Sequence, residues 1–109
     1  MTVSEISSMI GTLHVPYAYY QFPEGTAQAC PFICFYLPSS DDFIADNVNY
    51  TNISRLIIEL YTDEKDFDLE SQVESMLRNN EIVYTKTETY IDTERMYMIV
   101  YESEVILNG

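Results

Sequence analysis

Apolar positions recur along this chain at two spacings, and the switches between them mark out its elements. Over residues 2–13, Ile6, Met9, Ile10 and Leu13 fall on one face at the helical period. Thr2 and Glu5 form a T-x-x-E capping box at the start of that helix. Gly11 weakens its second half, and Pro16 stops any continuation. Residues 17–22 are an aromatic run closed by the Pro23-Glu24-Gly25 turn signal and read as a strand. Residues 32–37 are apolar on both faces, as an interior strand is, and residues 23–31 join the two as a loop. Residues 50–61 carry the strongest alternation: Leu56, Ile58 and Leu60 point one way, Arg55, Ile57, Glu59 and Tyr61 the other.

The period then returns to that of a helix. Asp66 or Asp68 can cap it, and acidic residues near its start suit the helix dipole. Leu69, Val73, Met76 and Leu77 line its apolar face. Glu70, Glu74 and Arg78 take the polar face, with Glu74 and Arg78 spaced as an i,i+4 pair, and Asn79-Asn80 ends the helix. Residues 82–91 and 96–107 are two strands joined by a short connection around Asp92-Thr93-Glu94, which predicts an antiparallel hairpin. Tyr97, Ile99, Tyr101, Val105 and Leu107 share one face of the last strand, while Met96, Met98 and Val100 make the other face apolar too. Such a strand is covered by a helix on one side and has something else to pack on the other. The expectation is an α+β fold: a mostly antiparallel sheet of four to five strands with both helices on one face. At 109 residues the chain, 1–109, reads as a single domain with room for a core.

Charge changes the picture most. Eighteen Asp and Glu against five Lys and Arg give a net charge of -13. Arg55, Lys65, Arg78, Lys86 and Arg95 are scattered, which argues against binding nucleic acid through phosphates and against an anionic membrane surface. The charge suits plain solubility as well as it suits repulsion, or mimicry, of another polyanion. The first residues lack the basic stretch of a signal peptide, and no apolar run reaches the ~20 residues of a membrane span. The expected setting is therefore a cytoplasm.

Candidate chemistry is sparse. Cys30 and Cys34 flank Pro31 at a spacing too wide to bridge in an extended chain, so two reduced thiols are expected. His14 is a single imidazole near the end of the first helix, expected to have no catalytic duty. Asp41, Asp42 and Asp46 do not follow the calcium-loop spacing. Ser39 and Ser40 lack a nucleophile-elbow context. No catalytic residue, metal ligand or cofactor site is expected, and the chain does not read as an enzyme. The acidic stretch 41–49 stands out because it contains Phe43 and Ile44, which are either tucked onto the domain or offered to a partner; the sequence leaves both open. Phe43, Ile44, Asp41, Asp42 and Asp46 are the candidate interface residues.

Three stretches carry a resemblance: VPYAYYQFPEG; then PFICFYLPSSDDFIADNVNYTNISRLIIELYTDEKDFDLESQVESML; then TKTETYIDTERMYMIVYESEV. Together they run from about Val15 to Val105, and IELYTDEKD (Ile58 to Asp66) is the most distinctive part. The chain resembles the tail terminator, or tail completion, proteins of long-tailed phages and prophages of Gram-positive bacteria. The resemblance implies an α+β subunit of a hexameric ring. That ring caps the finished tail tube, ends its growth and joins it to the head connector. Its partners would be further copies of itself, the major tail tube protein and the head–tail connector proteins, with DNA passing through the bore unbound. The expected location is the head-proximal end of the virion tail, and the host cytoplasm during assembly. A head-completion or connector adaptor is the neighbouring role. An acidic DNA mimic that inhibits a host enzyme is the alternative of another class.

Overall fold

Both ends of the first helix follow from its sequence. In α1, Val3–Gly11, the Thr2 hydroxyl accepts from the Glu5 amide at 3.1 Å, and the Glu5 carboxylate accepts from the Thr2 amide at 3.0 Å. Ile6, Met9 and Ile10 are its buried residues. Gly11 is its last residue, and a Cβ there would lie 3.2 Å from the Tyr17 hydroxyl, a tight contact that the tyrosine would have to ease. The computed structural model describes residues 1–22, 28–40, 43–45 and 48–107, with side chains at 1–22, 28–40 and 53–107.

The remaining elements are β1 (Tyr17–Tyr19), β2 (Phe32–Tyr36), β3 (Phe43–Ala45), β4 (Val48–Thr62), α2 (Phe67–Asn79), β5 (Tyr84–Ile91) and β6 (Met96–Leu107). The sheet order is β1-β2-β4-β6-β5, with β3 also paired to β4. The fold is α+β with a mostly antiparallel sheet, as expected; the exception is that β1 runs parallel to β2. Parallel neighbours need a connection of about a dozen residues, and the segment between β1 and β2 is that long. β1 is shorter than its aromatic run because Tyr20 turns the chain aside with a φ of 68°.

Alternation places the core as the sequence predicts. Ile33, Leu60 and Ile99 lie in register across β2, β4 and β6, and so do Phe35, Ile58 and Tyr101. These rows meet Ile6, Met9 and Ile10 of α1 and Leu69, Val73, Met76 and Leu77 of α2 in one cluster, so both helices cover the same face. Asp66 caps α2 by accepting from the Leu69 amide at 3.0 Å. At the other end the Ile82 amide donates to the Leu77 carbonyl at 2.9 Å and the Glu81 amide to Arg78 at 3.0 Å. This is a Schellman motif, closed by the contact of Ile82 with the core.

One expectation changes. The segment 41–49 reads as a loop in the sequence, but Phe43, Ile44 and Ala45 pair with Thr51, Asn49 and Val48, and the register shifts between Phe43 and Ile44. Ser40 bridges Ser54, so β2, Ser40 and β3 oppose β4 along one long, interrupted hairpin. β4 pairs with β6 only from Asn52 onward. Among the described residues, the stretch of β4 before Asn52 therefore has β3 as its sole strand partner.

Candidate assembly surfaces

The first polar cluster lies beneath α2. Glu70 is 1% exposed, against the solvated position its place in the helix suggests. Its carboxylate meets Lys65 at 2.6 Å and Lys86 at 2.8 Å. Lys65 also pairs with Glu88, and Lys86 with Glu74 at 2.8 Å. The Tyr101 hydroxyl donates to Glu74 at 2.9 Å. Burial pushes the Glu70 and Glu74 carboxyls upward, but Lys65 and Lys86 at Glu70, and Lys86 with the Tyr101 hydroxyl at Glu74, outweigh it and hold both below the usual carboxylate range. The Lys65 and Lys86 ammonium groups are held above theirs by the same pairs. Glu74 thus pairs with Lys86 on β5. Arg78 instead donates to the Tyr84 hydroxyl and to Ser75. The cluster joins helix to sheet, and each of its charged groups has an ionic partner within it.

The second surface is the sheet face opposite the helices. Its register rows are Phe32–Tyr61–Met98, Cys34–Glu59–Val100 and Tyr36–Ile57–Glu102. The Tyr36 and Tyr61 hydroxyls both donate to Glu59, at 3.0 and 2.8 Å. Phe32 stacks on Tyr61 with ring centroids 4.7 Å apart, Phe22 meets Phe32 edge-on, and Tyr20 lies 5.2 Å from Tyr36. Burial and the bond to Glu59 push the Tyr36 phenol up to about 12 and the Tyr61 phenol higher still. Burial, with the nearby Glu59 charge, raises Cys34 to about 11, so its thiol stays protonated at neutral pH and is a poor nucleophile. Cys30 is free as well, and burial raises it too. At one end of this face Tyr20, Phe22, Phe32, Tyr61, Ile91 and Met96 line a concavity of about 450 Å³.

The residues that the sequence singles out fall at the other end. Phe43 and Ile44 are in β3, at the far end of the long hairpin. Asp41, Asp42 and Asp46 lie outside the described residues. The aromatic concavity lies on the apolar second face that the sequence offers for packing, and the particular residues that build it are what sequence reasoning missed. Its signal was present as Met96 and Met98 on the second face of β6, but the partners from β2 and from residues 20–22 become neighbours only through the strand order. Among the described residues no three His, Cys, Asp or Glu side chains are grouped to hold a metal ion, and no helix is long and apolar enough to cross a membrane.

No protein-family profile matches the chain, and no curated protein sequence does. Among solved structures, the chain is similar to a chain in the virion of a native gene transfer agent particle. The TM-score is 0.60 at 12% identity, over 95% of this chain and 84% of that one. At that identity the likeness establishes a shared fold.

Proposed function

We propose that this protein is a virion assembly protein of a phage-like particle. As a ring of like copies it caps the tail tube, ends tube polymerisation and joins the tail to the head connector. The observation that carries this reading is the likeness, over nearly the whole chain, to a chain from the virion of a gene transfer agent. The resemblance of Ile58 to Asp66 and its flanks to tail terminators points the same way. Two physical features agree with it. A net charge of -13 suits a ring through which DNA must slide without adhering, since the duplex carries a charge per ~1.7 Å of axis. A sheet with one face left to aromatic and apolar side chains suits a subunit that meets other proteins. In this reading Phe43 and Ile44 make subunit or tube contacts, and Asp41, Asp42 and Asp46 keep that segment soluble before assembly.

The test is removal of the protein from a producing particle. Overlong tubes, and heads without tails, are the expected result, and the purified protein added back should restore joining. Tails of normal length that join heads in its absence would rule the reading out.

A further inference from the structure

The ring proposed above needs two different patches on each copy, because a closed ring of more than two like subunits uses a head-to-tail contact. We infer that the β3–β4 hairpin end of one copy docks into the aromatic concavity of the next. This inference rests on the ring reading and specifies its interface.

The two patches sit at opposite ends of one strand. Val48 begins β4 beside Ala45 of β3, and Tyr61 stands near its other end, in the concavity. At ~3.3 Å per residue the two positions are about 40 Å apart. The molecule is 50 Å long in its greatest dimension, so they lie near its two poles. A single copy cannot bring them together, whereas a neighbour can.

Each patch lacks something the other supplies. The hairpin end has one strand partner only among the described residues, and an isolated pair of strands is marginal in water. It also carries Phe43 and Ile44, two large apolar residues in an otherwise polar and acidic stretch. The concavity is lined by aromatic and apolar side chains with Glu94 among them, and Tyr20 there is 62% exposed. Its volume of about 450 Å³ lies within the ~300–1,000 Å³ range of pockets that accept drug-sized groups, so it has room for a pair of side chains. Neither helix reaches this face, and the core cluster that holds them lies entirely on the other.

A mixing experiment tests the pairing. One variant carries Phe43→Ser and Ile44→Ser; the other carries Met96→Glu in the concavity. Where Met96→Glu impairs folding by circular dichroism, Tyr20→Asp at the exposed rim takes its place. Each is examined at millimolar concentration in molar salt, which screens repulsion between acidic copies. Wild type should form rings in sedimentation and negative-stain images, and each variant alone should stay monomeric. An equimolar mixture should give a dimer and no ring, because one intact hairpin then meets one intact concavity. A mixture that stays monomeric, or single variants that still form rings, would overturn the inference. So would a wild type that never self-associates. The joining assay above does not depend on that outcome: restored joining with no dimer in the mixture removes this interface and leaves the assembly role standing.

Discussion

Glu70 shows how far a single side chain can depart from its place in a pattern. In the sequence it shares the polar face of α2 with Glu74 and Arg78; in the fold it is buried between Lys65 and Lys86. Nothing local reveals this, because one lysine comes from the segment before the helix and the other from β5. Removing one partner of a buried ion pair costs ~3–5 kcal/mol, since the charges left behind have lost their partner. The lower end applies here, as both lysines reach some water and keep Glu88 and Glu74. Glu70→Ala should therefore cost about 3 kcal/mol, seen as a melting temperature lower by on the order of 10–20 °C. Glu88→Gln, at an exposed position, should cost less than ~1 kcal/mol. The acid limb follows from the same cluster. The Glu70 and Glu74 carboxyls are depressed in the folded state, so their contribution is complete above the unfolded value of ~4.3 and is lost as pH falls through the folded values. Acidification also relieves the repulsion of a chain at net -13, which works in the opposite direction above that range. Stability should hold or rise on going from neutrality towards ~4.3, then fall below it. In Glu70→Gln the fall should be shallower; an unchanged acid limb in urea titrations would remove this group as its cause.

At the scale of elements, legibility followed locality. The capping box of α1, the Asp66 cap of α2 and the β5–β6 hairpin were readable because the groups concerned are neighbours in sequence. The short strand β3 was not, since three residues are too few to show a period, and its pairing depends on where β4 begins. The parallel pairing of β1 was hidden for a similar reason: a short aromatic run carries no mark of direction. The end of α2 holds a third case. Glu81 sits in the left-handed region at φ 59°, where a Schellman motif ordinarily places glycine, so the motif left no trace in the sequence. That conformation costs a residue with a Cβ ~1–2 kcal/mol. Glycine removes this cost but adds ~0.4–1 kcal/mol of unfolded-chain entropy to be overcome. Glu81→Gly should then stabilise the protein by about 0.5–1 kcal/mol, read as a higher urea midpoint at unchanged slope. A lower midpoint would mean that Glu81 makes a stabilising contact of its own.

For the whole molecule, charge bears on the proposed ring. Four of the five basic residues are already engaged within the subunit: Arg55 with Glu102, Lys65 and Lys86 around Glu70, and Arg78 with Tyr84. The surface left over is therefore predominantly acidic, and in the proposed ring two copies approaching head to tail would repel each other before apolar contacts form. Salt should then favour assembly. The screening length shrinks from ~10 Å at 0.1 M to ~3 Å at 1 M, which removes most repulsion between exposed charges while strengthening apolar burial little. Relief of a few exposed like-charge contacts at ~0.3–0.5 kcal/mol each amounts to about 1.4 kcal/mol, or about a tenfold tighter self-association. Sedimentation velocity across that salt range should show the change as a shift from monomer towards ring. An acidic mimic of DNA behaves in the opposite way, because its complex with a basic enzyme is held by the attraction that salt screens. The sign of the salt dependence thus separates the two classes of function that the net charge alone leaves equally served, and self-association that weakens as salt rises would speak against the ring.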